Sequence, residues 1–135
     1  MSTALGATGR AHVELRLPAD SAYVSVLRTT SAGLAARLDF TLDDLEDLRM
    51  AVGEACAIVL SGVDDGGDLT AEFWLDAAAI AVRVSAPAQH PVLTPEEDFG
   101  WQVLSTLASD TALEHSSGVV AVSLVVTALP LEAGA

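Results

Sequence analysis

The hydrophobic positions change their period several times along the chain, and each change marks an element. His12 to Leu17 alternates, putting Val13, Leu15 and Leu17 on one face before Pro18 stops it, which predicts a half-buried strand. From Asp20 to Leu38 the spacing becomes helical. Val24, Leu27, Leu34 and Leu38 fall near one stripe, Asp20 or Ser21 is the expected cap, and Thr29, Thr30, Ser31 and Gly33 weaken the middle. Thr41 to Ser61 is the strongest signal. Leu45, Leu48, Val52, Ala55, Cys56 and Val59 recur at steps of three and four, and Thr41 with Asp44 has capping-box spacing. Asp43, Asp44, Glu46 and Asp47 place negative charge at the positive end of that helix.

After the turn at Asp64-Asp65-Gly66-Gly67-Asp68, the segments Leu69 to Leu75 and Ala79 to Val84 read as a hairpin across Asp76-Ala77-Ala78. Ser85 to Asp98 carries Pro87, Pro91 and Pro95 and is expected to be an irregular loop of the length that often serves as a lid. Phe99 to Ser109 predicts a short helix with Trp101, Leu104, Leu107 and Ala108 at apolar spacing. Ala112 to His115 reads as a strand and Ser116-Ser117-Gly118 as a turn. Val119 to Leu129 reads as a strand buried on both faces. The order β, α, α, β, β, loop, α, β, β predicts an α+β two-layer sandwich. Residues 1–10 are expected to be disordered and 11–131 to form one domain.

Composition narrows the function classes. The chain has 135 residues, 51% hydrophobic and 19% charged, enough for a real core. Lysine is absent, and six arginines face nineteen acids, for a net charge of −13. Such a surface repels phosphate backbones and argues against nucleic-acid binding; it suits a basic protein partner or simply aids solubility. A single cysteine forbids an internal disulfide and, with no signal peptide or membrane-length apolar run, is read as cytoplasmic. Cys56 lies on the apolar stripe and is expected to be a buried hydrophobe.

No zinc spacing, phosphate-binding glycine motif or G-x-S-x-G elbow is present, and the three histidines are dispersed. Glu54 is the one charged residue between positions 50 and 60, nearly opposite the apolar stripe, with Ile58 one turn further on. It reads either as a carboxylate that activates a hydroxyl beside a ligand or as a partly exposed helix glutamate. Arg28 reads either as a fork of donors for an acidic partner group or as a solvated arginine. Phe99 and Trp101 are expected to be core anchors.

Leu27-Arg28 with Leu34-Ala-Ala-Arg-Leu-Asp39, then Leu42 to Cys56, resemble the RsbW-type anti-sigma factors, which are built on the GHKL (Bergerat) ATPase fold and some of which are serine kinases. Phe99 to Asp110 resembles the family's helix after the ATP lid, and Val119 to Thr127 its closing strand. The resemblance implies a mixed, mostly antiparallel sheet with helices on one face. It implies a sigma factor and a STAS-domain anti-anti-sigma protein as partners, and a homodimer. It makes Glu54 the catalytic base, Gly100 a phosphate-lid glycine, and Arg28, with Val24 and Leu27 around it, the shared partner contact.

The departures are specific. Ile58 stands where the family has its magnesium-holding asparagine, so no metal ligand is expected there. Ser85-Ala-Pro-Ala-Gln89 stands where the family's Asp-x-Gly-x-Gly would be, leaving Ser85 as the remaining adenine-side group. Phosphoryl transfer depends on metal and positioning, so the reading is an anti-sigma factor that handles ATP and magnesium poorly or not at all. An active serine kinase is the alternative, and a scaffold unrelated to sigma a third.

Overall fold

The computed structural model describes residues 9–91 and 98–128, in the order expected from the sequence. The strands are β1 (Val13–Pro18), β2 (Asp68–Asp76), β3 (Ala79–Pro87), β4 (Asp110–Ser116) and β5 (Val119–Thr127). The helices are α1 (Val24–Ala35), α2 (Leu42–Leu60) and α3 (Phe99–Leu107). The strands form one open sheet in the order β1-β2-β3-β5-β4, with β1 and β4 at its edges. Every pairing is antiparallel, so the sheet is uniform and not mixed. The α+β two-layer sandwich with helices on one face is borne out.

The register explains which side chains meet the helices. Leu69, Ala71 and Phe73 of β2, Ile80, Val82, Val84 and Ala86 of β3, and Val120, Val122, Leu124 and Val126 of β5 share a core with the buried faces of α1 and α2. Phe73, Leu27, Leu48, Leu69, Ile80, Leu104 and Leu124 are among its largest fully buried side chains. Each is worth roughly 1.5–3 kcal/mol of transfer free energy. The opposite face of the sheet carries Arg83 between Glu72 and Glu114, with N–O distances of 3.3 Å to each. Beyond them a small second cluster joins Trp74, Ala79, Ala81 and Val125. On that face the strand interiors are small, and the shallow packing of alanines buries Ala81 and Ala121 between their larger neighbours. This is how β5 comes to be buried on both sides of most of its length.

Helix α2 is the organising element. It packs against α1, α3, β3 and β5, and its start is fixed as the sequence predicts. The Thr41 side chain accepts from the Asp44 N–H at 3.1 Å, and the Asp44 carboxylate accepts from the Thr41 N–H at 2.9 Å. Asp44 is 5% exposed, so this carboxylate is buried with its partner in place.

Several boundaries move. The first helical stretch opens with a 3-10 turn, Ser21–Tyr23, capped by Asp20, and α1 ends at Ala35 rather than Leu38. α3 ends at Leu107, because Ala108 is already extended and Ser109 bonds to Val125 in the sheet. β4 gains residues at both ends, and β3 continues through Pro87, three residues into the expected loop. Pro87 carries no N–H, but its carbonyl still accepts from Asp64. The expected lid's residues 92–97 and residues 1–8 of the expected disordered segment lie outside the described residues, as do 129–135.

Replacing Thr41 by Ala removes one half of the reciprocal cap and should lower stability by about 1 kcal/mol. Urea unfolding checks this, with the midpoint falling and the slope unchanged; an unmoved midpoint would deny the cap any energetic role.

Candidate functional site

Two regions around α2 gather the residues singled out by the sequence. The first is where α2 meets the start of α3. Glu54 is half-buried and faces this junction. It is not on an open side opposite the core, because α2 is covered on three flanks and only a narrow arc remains free. Gly100 is what allows the approach. A Cβ there would lie 2.7 Å from Glu54 Oε1 and 3.1 Å from Asp98 Oδ1, too close for any side chain without a shift. Asp98 caps α3, its Oδ1 accepting from the Gly100 N–H at 2.7 Å and the Trp101 N–H at 3.3 Å. Two carboxylates from different elements thus flank one backbone position. Asp98 was legible as an N-cap by its place before an apolar helix, yet only the fold brings Glu54 to it.

Ile58 belongs to the core, 8% exposed, and offers no oxygen to a cation. Ser85 does not join Glu54. The alternation of β3 turns Val82, Val84 and Ala86 toward the helices and Arg83 and Ser85 away from them. Ser85 lines a cavity of about 280 Å³ with Arg16, Asp68, Thr70, Ala86, Pro87 and Val119 on the far side of the sheet. The β3 residue on the helix side is Ala86, 3% exposed, which carries no hydrogen-bonding side chain. Phe99 departs from expectation as well. It is 77% exposed and stands outside the core, whereas Trp101 does pack against it. At the first residue of α3, Phe99 projects beyond the turn that the Asp98 cap holds.

The second region is a groove of about 440 Å³ between α1 and α2, lined by Ser21, Val24, Arg28, Gly53, Ala57, Leu60 and Ser61. Arg28 is neither fully solvated nor extended. Its stem and guanidinium lie over Gly53, with Cδ, Nε and Cζ 3.6–3.7 Å from where a Cβ would be. Its Nε is buried without a hydrogen-bond partner among the described residues. Leu27 and Val24, expected beside it as contact residues, are 0% and 8% exposed. Val24 lines the groove and Leu27 lies wholly in the core, because the apolar stripe of α1 is needed there. The apolar groups exposed nearby are Tyr23 of the 3-10 turn and Val26 of α1, with Met50 exposed on α2. Cys56, on the buried face of α2, is fully buried as expected. Burial pushes its thiol from 9.0 up to about 12, offset in part by the Arg28 guanidinium.

Comparison with known proteins supports the resemblance. The chain is 29% identical, over an alignment of 130 residues covering 79% of each chain, to curated proteins named serine-protein kinase RsbW from Bacillus mycoides (strain KBAB4) and Bacillus cereus (strain ATCC 10987 / NRS 248). Among solved structures, the RsbU and RsbW domains of a Mycobacterium tuberculosis protein superpose with a TM-score of 0.58 at 18% identity. That match covers 84% of this chain and 32% of the other. The mycobacterial sensor histidine kinase MprB gives a TM-score of 0.52 at 11% identity, covering 87% and 100%. These two bear on the fold alone, and they agree with the GHKL-like architecture. No family model matches the chain. Among the described residues no helix is long and apolar enough to cross a membrane.

The buried thiol predicts a pH dependence. The folded chain holds the Cys56 proton more tightly than the unfolded chain, so this contribution is complete below about pH 9 and is lost as pH climbs toward 12. The slope in that window reaches about 1.4 kcal/mol per pH unit. Denaturant titrations on either side of pH 9 should show falling stability for the native chain and a flatter dependence for Cys56→Ala. An identical slope in the variant would assign the loss to other groups.

Proposed function

We propose that the protein is an anti-sigma factor that sequesters an alternative sigma factor and releases it when a STAS-domain anti-anti-sigma protein competes for the same surface. The observation that carries this reading is the likeness to RsbW proteins, 29% identical over 79% of each chain. The α1–α2 groove supports it physically. A guanidinium held over Gly53 with its Nε unpaired is ready to receive an acidic group, and desolvation at that point strengthens the bond. Val24, Ala57 and Leu60 in the lining of the same groove add apolar contact beside that cation. Both partners would compete for this one cation, so binding of either excludes the other. The protein acts in the cytoplasm, and pairing of two copies through the same region is part of the proposal.

The name of the relatives favours a second reading, a serine kinase that phosphorylates the antagonist, with Glu54 as base. Transfer of labelled phosphate from ATP to a STAS partner separates the two, since a pure binding protein transfers none.

Arg28→Glu should weaken the complexes with sigma factor and with the antagonist by at least tenfold each, about 1.4 kcal/mol. It should shift Tm by only a few degrees, because Arg28 is not part of the buried core. Affinities measured by calorimetry and pull-down from native extract test this. Unchanged affinity for both partners would remove Arg28 from the interface, and recovery of neither partner would refute the anti-sigma reading.

A further inference from the structure

The start of α3 is a helix N-terminus, a position where free N–H groups and the helix dipole ordinarily favour phosphate oxygens. In this chain it is already filled. Asp98 Oδ1 takes the N–H groups of Gly100 and Trp101, and Glu54 Oε1 comes from α2 to within 2.7 Å of the space a Cβ on Gly100 would need. An incoming phosphate would have to displace one carboxylate and sit against another. A divalent cation would ordinarily relieve that repulsion, but Ile58, one helical turn beyond Glu54, is packed in the core with no oxygen to give. On the helix side of β3, Ala86 offers no hydrogen bond to a base. These residues do not fit a magnesium nucleotide.

We infer that the chain supplies its own anion at this site: the carboxylate of Asp98, backed by Glu54, keeps the α3 N-terminus closed to phosphate, so that the partner-binding form stands without nucleotide. The second half rests on the binding-protein reading above; the first does not. Asp98 is then a positioning residue that holds α3 and an internal substitute for a phosphate group. Release of a bound partner follows from competition at the α1–α2 groove, and the nucleotide state of the cell does not set it.

The test uses the full chain, Mg-ATP and tripolyphosphate as probes, and Glu54→Gln, Asp98→Asn and the double variant. Asn keeps an oxygen for the α3 cap while removing the charge. Calorimetry should detect no binding of either probe to the native chain, and its Tm should not rise with Mg-ATP. The double variant should bind tripolyphosphate at least about tenfold tighter than the native chain, as removal of two like charges requires. Should Asp98→Asn fail to fold, Glu54→Gln alone must move in the same direction. A native Tm that climbs with Mg-ATP overturns the proposal, and so do variants as indifferent to tripolyphosphate as the native chain. Neither result depends on whether a sigma factor is recovered in the pull-down, so the two readings fail separately.

Discussion

The constraint on which the rest depends is the enclosure of α2. One helix serves three neighbours, with the sheet beneath it, α1 on one flank and α3 on the other. Close approach on all three sides demands small residues, and Ala51, Ala55 and Cys56 are completely buried while Gly53 lies under Arg28. The buried arc therefore exceeds the stripe that period alone defines. Almost every later feature follows: Glu54 is driven to the α3 flank, Ile58 into the core, and Arg28 onto the glycine. The helix can be so crowded because its start is pinned by its own reciprocal cap.

Much of this was legible in the sequence, for physical reasons that differ from element to element. The capping box is local, four residues whose geometry is complete within one turn, so Thr41 and Asp44 announce it without any tertiary information. Strand alternation is equally local and marks β1, while the turn between β2 and β3 marks them as a hairpin and an unbroken apolar run marks β5. The errors arise where a residue's face is set by distant packing. Ser85 follows a motif alignment to the wrong side of β3, although counting by twos from Val82 and Val84 would have selected Ala86. Leu27 is apolar and adjacent to Arg28, yet its neighbour's exposure says nothing about its own on a helix turning 100° per residue. Phe99 has the composition of an anchor, but the first residue of a short helix had no core within reach. The meeting of Asp98 with Glu54 joins residues forty-odd positions apart and was invisible until α3 was seen to abut α2.

The two regions on either side of α2 have opposite electrostatic character within an acidic molecule. At the α1 groove a cation is held with part of its donor capacity unused. At the α3 end two carboxylates face one glycine. A single helix carries both, one turn from Gly53 to Ala57 lining the first and Glu54 reaching the second. A substitution along α2 would therefore act on both regions, and variants intended for one of them need their effect measured at the other.

The sheet described above is open, and an open sheet has two strands with unpaired backbone groups that invite copies of the same chain to add on. Here the outermost strands are β1, which carries Glu14 and Arg16 on its exposed positions, and β4, which carries Asp110 and Glu114. Charges of this kind at the margins discourage strand-to-strand stacking, and on β4 both are negative. Edges charged in this way keep an open sheet from growing by addition of further strands. In this fold that property resides on the two edge strands, neither of which lines the α1–α2 groove.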